Sequence, residues 1–197
     1  MQERQRHHRF ALVVTPPRPV EVLIEDAYLR WLGTSKPNMG FHITIVGPFL
    51  WKGELDENVL RQVSLICAAW QPFRVCIHGL DAFRDPDRNA VYIPVHNAGS
   101  LMSLHDSLQT VLSPVIVLQR ELPEGRYLPH ITLGLGLTDR ELERVLKDAH
   151  EYDLQESFEV EEIHLTEERP SAPWRRIRSF PLSRSLEAAS ANVNSYD

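Results

Sequence analysis

The sequence predicts an α+β fold in which helices cover one face of each of two antiparallel sheets. Short apolar, β-branched runs come in pairs, as antiparallel strands do. Segments with apolar residues at three-and-four spacing lie between them, which is typical of amphipathic helices packed on a sheet. The order strand, helix, strand also occurs once before residue 50 and again between residues 90 and 135, which indicates two similar lobes.

In the first half of the chain, turn and breaker residues mark the element boundaries. The predicted strands cover residues 10–14, 41–46, 73–80 and 90–95, and the predicted helices cover residues 20–32 and 56–70. Two prolines follow the first strand, Gly33 ends the first helix, and Gly47 with Pro48 closes the second strand. The last two strands are joined by a turn at 85–89, which is rich in Asp, Pro and Asn.

The second half repeats these patterns. The predicted strands cover residues 115–118, 130–135, 158–166 and 175–182, and the predicted helices cover residues 101–112 and 138–149. Thr138 and Glu141 have the spacing of a capping box, in which each side chain satisfies a free amide of the other residue. We expect a two-lobed domain over residues 10–183, with a flexible N-terminal segment at 1–9 and a flexible C-terminal tail at 184–197.

Composition excludes several classes of protein. The chain is 43% hydrophobic and 24% charged, which is ordinary for a globular protein. Its apolar runs are all shorter than the roughly 20 residues that span a bilayer, and its first residues lack the apolar core of a signal peptide. Cys67 and Cys76 fit no metal-finger spacing, so we expect reduced thiols in a cytoplasmic protein.

Charge is unevenly distributed along the chain. A net charge of -6 argues against non-specific binding of long nucleic acid, which requires many phosphate contacts. It leaves room for a local basic site that holds a small phosphate ligand or the end of an RNA. Residues 169–184 contain five arginines and no acidic residue. The sequence leaves open whether this run binds an anion or is the solvated face of an edge strand.

Two matching triplets, His42-Ile43-Thr44 and His130-Ile131-Thr132, carry the candidate chemistry. Because side chains in a strand alternate between its faces, each histidine shares a face with its threonine, while the isoleucines face the other way. Each strand can therefore bury an aliphatic face and present a proton-transfer group beside a hydroxyl donor. The two histidines lie far apart in sequence, so the pair must be brought together by the fold.

A third triplet, His164-Leu165-Thr166, has the same alternation. Four glutamates surround it: Glu161, Glu162, Glu167 and Glu168. We interpret His164 as a structural strand histidine that bonds a neighbouring group, and not as a member of the catalytic set.

These triplets and their flanking residues resemble the 2H phosphoesterase superfamily, which includes the 2′-5′ RNA ligase-like proteins and the 2′,3′-cyclic nucleotide phosphodiesterases. Residues 41–49 resemble the first His-x-Thr motif of the family, and residues 126–133 resemble the second, including its proline and arginine. Residues 162–182 are similar to its last hairpin, although Thr166 and Glu167 follow Leu165 where many relatives have an acidic residue and a serine. The resemblance covers residues 10–182.

The resemblance implies a bilobal α+β fold, with two antiparallel sheets forming a concave cleft and helices packed on the outer faces. It also implies an enzyme that needs no metal or cofactor, namely a hydrolase of cyclic phosphodiesters active in RNA processing. Histidine suits both proton transfers because its ordinary pKa is about 6.5. By resemblance His130 is the base and His42 the acid, although the sequence does not fix that order. Thr44 and Thr132 would donate to the phosphoryl oxygens.

Flanking residues are candidates for substrate binding. Arg126 can make a charged contact with a phosphate, and Phe41 and Tyr127 can stack on a base or ribose, as can Trp51. Each also has a structural interpretation, as a surface arginine or as a core or rim aromatic. The expected partner is a small cyclic phosphate or an RNA terminus. We expect the chain to be a monomer and expect no membrane to take part.

Three alternatives remain at the level of sequence. The chain can be a 2′-5′ RNA ligase that runs the reaction in reverse, since the same groups serve both directions. It can be a non-catalytic module that holds a nucleotide or an RNA end. A metal-binding protein built on His7, His8 and other histidines is the third alternative, although His7 and His8 lie in a polar segment predicted to be flexible.

Overall fold

The computed structural model describes residues 8–32, 39–85, 89–119, 126–149, 154–169 and 172–183. Its four helices are α1 (Arg18–Leu32), α2 (Glu57–Ala68), α3 (Gly99–Leu112) and α4 (Asp139–Ala149). Its strands are β1 (Arg9–Val14), β2 (Ile43–Trp51), β3 (Phe73–His78), β4 (Asp81–Phe83), β5 (Asn89–His96), β6 (Ile116–Leu118), β7 (His130–Leu137), β8 (Gln155–Val160), β9 (Glu162–Glu168) and β10 (Arg175–Pro181). The segments expected to be flexible, 1–9 and 184–197, lie outside the described residues except for His8 and Arg9, and Arg9 already belongs to β1.

All the described strands join one connected antiparallel sheet. Its main path runs β10-β9-β1-β2-β7-β5-β3-β8, with β6 paired to β2 and β4 paired to β5. The predicted α+β class is therefore confirmed, but the strands form one sheet where two were predicted. The halves of the sheet meet at β2 and β7, which share the single register pair Ile43 with Ile131.

The sheet is strongly curled. Only Glu161 separates β8 from β9, yet β8 lies at one end of the path and β9 next to the other end. A flat sheet with strands about 4.8 Å apart cannot connect its two ends through one residue. The sheet therefore bends into a half-barrel.

One face of the sheet is covered by helices and holds the hydrophobic core. Ile43 and Ile131 are fully buried on this face, together with the apolar sides of α1, α2 and α3. The residues that α1 buries are Val20, Ile24, Ala27, Tyr28 and Trp31, which follow the predicted helical spacing. Within the part of the chain that the structure describes, no helix is both long and apolar enough to span a bilayer.

The predicted helices are confirmed, with boundaries shifted by a few residues. The capping box of α4 is present, because the Thr138 amide donates to Glu141 at 2.8 Å while the Glu141 amide donates to the Thr138 hydroxyl at 3.3 Å. At the start of α2 the carboxylate of Asp56 accepts a bond from the Asn58 amide at 2.8 Å. Cys67 and Cys76 are free thiols, and burial raises the pKa of Cys67 to about 12.

Two strand predictions were wrong in their extent, and one strand was missed. β2 continues past Gly47 and Pro48 to Trp51, because its second part pairs with β6. The strand predicted at 158–166 is two strands, β8 and β9, that turn at Glu161 without a glycine or proline. The sequence analysis missed β4, a short strand that pairs with β5 beside the candidate site.

Candidate active site

The two His-x-Thr triplets lie side by side in the middle of the sheet. β2 and β7 pair at Ile43 and Ile131, and one step to either side of this pair places His42 opposite Thr132 and Thr44 opposite His130. Both isoleucines are fully buried on the helix side, so the histidines and threonines share the other side, where all four are half-buried. We call this side the cleft face. The fold thus brings together the four residues predicted to be catalytic.

This register sets the spacing of the two imidazoles. His42 and His130 occupy diagonal positions of an antiparallel pair, for which the separation between backbones is roughly 7–8 Å. A phosphoryl group can lie between two side chains at such a spacing, with an imidazole on each side. Thr44 and Thr132 occupy the other diagonal of this group of four positions.

Each imidazole is held by an identical local hydrogen bond. Nδ1 of His42 lies 3.0 Å from the carbonyl oxygen of Gly40, and Nδ1 of His130 lies 2.7 Å from that of Leu128. Because a carbonyl only accepts, Nδ1 must carry the proton and donate it. In the neutral ring, Nε2 therefore holds the lone pair, which is the form that a general base requires.

Burial lowers the pKa of both histidines. For His42, loss of solvent is the main cause, the bond to Gly40 opposes it, and repulsion from a protonated His130 adds to the lowering. For His130, burial is again the main cause, and the bond to Leu128 opposes it. Both rings are therefore predominantly neutral near pH 7 in the free protein, and a bound anion would favour protonation of one of them.

The hydroxyls of Thr44 and Thr132 are available to a ligand. In the described part of the chain, neither forms a hydrogen bond with another protein group. By contrast, the Thr166 hydroxyl of the third triplet donates to the carbonyl of Ala11 at 3.1 Å. The two motif threonines thus differ from the third in having free donors.

Two aromatic residues that sequence analysis missed pack against His130. The rings of Phe83 and Tyr92 stack with centroids 4.3 Å apart, and each lies 5.1 Å from the imidazole of His130. The Tyr92 hydroxyl donates to Asp81 at 3.1 Å, and burial together with the Asp81 charge raises the pKa of Tyr92 to about 12. Tyr92 is placed here because it pairs with Thr132 across β5 and β7. Its position beside His130 can be predicted only when the order of strands in the sheet is known.

Tyr127 contacts both β2 and α3 next to the site. Its hydroxyl donates to the carbonyl of Thr44 at 2.9 Å, and its ring stacks on His105 at 4.1 Å with an interplanar angle of 8°. Nδ1 of His105 in turn lies 2.6 Å from the carbonyl of Ile45. Burial raises the pKa of Tyr127, so its hydroxyl stays protonated as a donor. These contacts position β2, whereas the sequence predicted that Tyr127 would contact substrate.

The other predicted binding residues differ in their surroundings. Phe41 is 2% exposed and packs edge-on against Tyr28 in the core, which corrects its assignment as a stacking residue. Trp51 packs against Phe10 and Phe49 at the far end of β2. Arg126 is exposed at the start of the segment that leads into β7.

His164 lies on the cleft face, two strands from Thr44. Val13 of β1 pairs with Thr44 on one side and with His164 on the other, so all three residues share a face. His164 is 3% exposed, and its Nδ1 lies 2.9 Å from the Ser179 hydroxyl. Burial, with the nearby charge of Arg176, lowers its pKa, against the opposing effect of Glu162. This placement fits the structural role predicted for His164.

Of the two histidines named for a metal site, only His8 belongs to the described residues. His7 lies outside the described residues, and Nδ1 of His8 bonds Glu167 at 2.8 Å. Among the described side chains, no group of three or more His, Cys, Asp and Glu residues is placed to hold a metal ion.

Comparison with known proteins identifies the family. The model of the 2′-5′ RNA ligase superfamily matches residues 16–172, most of the chain. The chain therefore belongs to the 2′-5′ RNA ligase superfamily of 2H phosphoesterases, which confirms the predicted resemblance. Relatives include Bacillus thuringiensis (strain Al Hakam) and Bacillus cereus (strain AH187) proteins, both provisionally named phosphoesterases. Each is 25% identical over 143 residues, covering 73% of this chain and 79% of its own.

Solved structures share the fold at low sequence identity. Escherichia coli LigT complexed with 3′-AMP is 16% identical with a TM-score of 0.57, and the match covers 90% of this chain and 98% of that one. A protein of Thermus thermophilus is 18% identical with a TM-score of 0.56, over 88% and 97% of the two chains. Usb1 of Kluyveromyces marxianus is 11% identical with a TM-score of 0.51, over 89% and 97%.

Proposed function

We propose that the chain hydrolyses the 2′,3′-cyclic phosphodiester of a nucleotide or of an RNA end. Its family makes it a phosphoesterase, and the observation that favours this reaction is the paired site. Two half-buried imidazoles, each with Nδ1 bonded to a carbonyl oxygen, lie diagonally across the junction of β2 and β7, each opposite a threonine with a free hydroxyl. Such a set supplies two proton-transfer groups and two donors to one phosphate.

The reaction requires one imidazole in each protonation state. A neutral histidine takes a proton from water as the water oxygen bonds to phosphorus, and one ring P–O bond breaks in line with the attack. A protonated histidine on the opposite side donates its proton to the departing ribose oxygen, leaving a phosphate monoester. The lowered pKa of both rings provides the neutral base, and binding of the anionic phosphate favours protonation of the second ring.

The family resemblance gives the base role to His130 and the acid role to His42. The threonine hydroxyls donate to the non-bridging oxygens, whose charge changes in the transition state. Tyr127 acts at a distance from the phosphate, because its bond to the Thr44 carbonyl holds the strand that carries one donor.

The direct test is incubation with the four 2′,3′-cyclic mononucleotides and with a short RNA that ends in a 2′,3′-cyclic phosphate, followed by identification of products. We expect monoesters to form, and to form equally in excess EDTA, since all the groups described are side chains. Loss of turnover on chelation that added divalent metal restores would contradict the mechanism.

The same assay separates the alternatives. A ligase would join RNA ends through a new phosphodiester when a 5′-hydroxyl acceptor is added. A binding module would retain the cyclic phosphate unchanged while still binding it. Either result, without hydrolysis, would overturn the proposal.

A further inference from the structure

The imidazoles of His42 and His130 differ in what packs against them. Both make the same bond from Nδ1 to the carbonyl oxygen two residues before them. The ring of His130 also contacts two aromatic rings, since its centroid lies 5.1 Å from those of Phe83 and Tyr92, at interplanar angles of 76° and 59°. Within the described part of the chain, no aromatic ring makes such a contact with His42. The surroundings of the two histidines are therefore asymmetric.

The two rings beside His130 are themselves held in place, and we call Phe83 and Tyr92 the aromatic pair. They stack on each other with centroids 4.3 Å apart at an angle of 26°. The hydroxyl of Tyr92 donates to one oxygen of Asp81 at 3.1 Å, and the other oxygen accepts a bond from the amide of Ala82 at 2.7 Å. The Asp81 carboxylate therefore joins Tyr92 to the backbone of β4, the strand that carries Phe83.

Strand register places the aromatic pair beside the second triplet. Across β5 and β7, Tyr92 pairs with Thr132 and Pro94 pairs with His130. Tyr92 thus lies directly opposite Thr132 and diagonal to His130, at a spacing that an aromatic side chain can bridge. Phe83 reaches the same imidazole from β4, which pairs with β5. The sheet thus brings both rings to the second triplet and not to the first.

One hydrogen bond does not fix the direction of an imidazole. The bond from Nδ1 of His130 to the carbonyl of Leu128 selects the tautomer, but the ring can still tilt about this bond. Rings packed at two different angles restrict that tilt, and with it the direction of Nε2. Proton transfer needs Nε2 within hydrogen-bond reach of the reacting oxygen, and a misplacement of about 1 Å can cost roughly 10²-fold in rate.

The aromatic pair also shields His130 from water. Burial is the main cause of the lowered pKa of His130, and the two rings in contact with the imidazole contribute to that burial. The titratable groups on the cleft face around it are His42 before β2, Tyr92 on β5, Asp81 on β4 and His78 on β3. The hydroxyl of Tyr92 stays protonated because its pKa is about 12. Loss of the neighbouring phenyl ring would therefore expose His130 without changing any of these charges.

We propose that Phe83 and Tyr92 are positioning residues, which hold the imidazole of His130 so that its Nε2 faces the phosphate and which act on only this one of the two histidines. This inference rests on the proposed function and assigns a task to two residues that act through His130. Different surroundings for two like groups are what opposite proton-transfer roles require.

The first test is NMR titration of the histidine side chains in the free protein, with the signals of His42 and His130 assigned from glutamine variants. In Phe83→Ala the pKa of His130 should rise toward its ordinary value, because less of the imidazole is buried. The pKa of His42 should stay as in the wild type. Phe83→Tyr, which keeps an aromatic ring, should restore the wild-type titration of His130.

The second test is steady-state kinetics with 2′,3′-cyclic AMP. In Phe83→Ala, kcat should fall by roughly 5- to 100-fold with little change in KM, since a misdirected Nε2 affects proton transfer more than binding. Phe83→Tyr should recover most of kcat. Tyr92→Phe keeps its ring and loses only the bond to Asp81, so it should lower kcat less than Tyr92→Leu does.

Phe73→Ala is the matched control. Phe73 is a partly buried phenylalanine of β3 whose ring packs edge-on against Trp70, with centroids 6.2 Å apart. It shares the helix side of β3 with the buried residues Val75 and Ile77. Phe73→Ala therefore removes the same kind of ring on the opposite side of the sheet. It should leave kcat and the titration of both catalytic histidines unchanged.

The outcomes separate this inference from the proposed reaction. If 2′,3′-cyclic AMP is hydrolysed but Phe83→Ala behaves like Phe73→Ala, or if Phe83→Ala moves the pKa of His42 as much as that of His130, the positioning role is overturned while the reaction stands. If the wild type hydrolyses no cyclic phosphate, the reaction is overturned, and the titration, which needs no substrate, still decides whether the aromatic pair controls His130. Should Phe83→Ala fail to fold, Phe83→Leu removes the ring while filling most of its space and gives the same comparison.

Discussion

At the scale of single residues, the free hydroxyls of Thr44 and Thr132 offer the sharpest test of the site. Replacing either with Val keeps the branched shape that suits a strand and removes the donor. We expect kcat to fall by roughly 10- to 10³-fold, as for the loss of an oxyanion donor, with the fold retained. Steady-state kinetics with a 2′,3′-cyclic mononucleotide measure the effect.

Thr110→Val provides the control for those variants. Its hydroxyl is exposed on α3 and donates to the carbonyl of Asp106 within the same helix. Wild-type turnover is expected in this variant. Unchanged turnover in both Thr44→Val and Thr132→Val would show that these hydroxyls do not touch the phosphate.

The paired histidines should give a bell-shaped dependence of kcat/KM on pH. One neutral and one protonated ring are required, so the limbs report the free protein's coupled pair and not either residue alone. Because burial lowers both pKa values from 6.5, the maximum should lie below pH 6.5. The kcat profile should lie at higher pH, since bound phosphate favours the protonated ring. A kcat/KM maximum above pH 7.5 would contradict this account.

Alanine variants test whether the pair acts as a unit. His42→Ala and His130→Ala should each lower kcat/KM by roughly 10²- to 10⁴-fold, and the double variant should lose little more. His164→Ala should keep most of the activity, because its imidazole bonds Ser179 two strands away from Thr44. An inactive His164→Ala beside an active His42→Ala or His130→Ala would place the site on other strands.

Sequence reasoning could predict that each histidine shares a face with its threonine, because that information is local. His42 directly precedes β2, and its spacing of two residues from Thr44 in extended chain is sufficient to put both on one face. The placement of Phe83 and Tyr92 beside His130 depends on which strands are neighbours, which no local pattern specifies. Phe41 was misassigned for a related reason, since proximity to a motif in sequence does not tell which face its ring occupies.

At the scale of elements, Gly47 determines the course of β2. Its φ is +131°, and a Cβ at this position would lie 3.1 Å from the backbone and side chain of Ala11 in β1. Gly47→Ala should therefore lower the free energy of unfolding by about 1–3 kcal/mol. Urea denaturation measures this change. Gly53→Ala, where a Cβ would meet no atom within 4 Å, should change stability little.

Strand ends were the least predictable elements, and pairing explains why. Glycine and proline normally end a strand, so the prediction stopped β2 at residue 46, but β6 and β1 supply partners as far as Trp51 and Phe49. The turn at Glu161 has no breaker residue, and its position follows from β8 joining β3 while β9 joins β1. Helices were predicted more accurately because the spacing of their apolar residues and their capping residues are both contained in one short segment of sequence.

At the scale of the whole molecule, the buried histidines link folding to pH. His42, His130 and His164 have lowered pKa values in the folded chain, whereas in the unfolded chain each returns to about 6.5. Below pH 6.5 the unfolded chain binds more protons, so acidification favours unfolding. Stability should be fully present above pH 6.5 and fall as the pH drops toward 5, by at most about 1.4 kcal/mol per pH unit for each histidine.

Thermal unfolding between pH 5 and 8 in a buffer without phosphate measures this linkage. The buffer matters because an anion bound between the histidines would favour their protonated form. A Tm that is independent of pH over this range would contradict the burial of the three rings. In His42→Gln the fall in Tm should be shallower than in the wild type.

Orientation and separation of the two imidazoles are controlled by different parts of the molecule. Each ring is oriented by a bond to the carbonyl two residues before it, so each half of the site is prepared by its own strand. The gap between the rings depends on a junction one register pair wide, Ile43 with Ile131. A change of side-chain volume at that junction would therefore adjust the width of the gap while both tautomers stay fixed. The orientation of each ring and the distance between the rings can therefore change independently of each other.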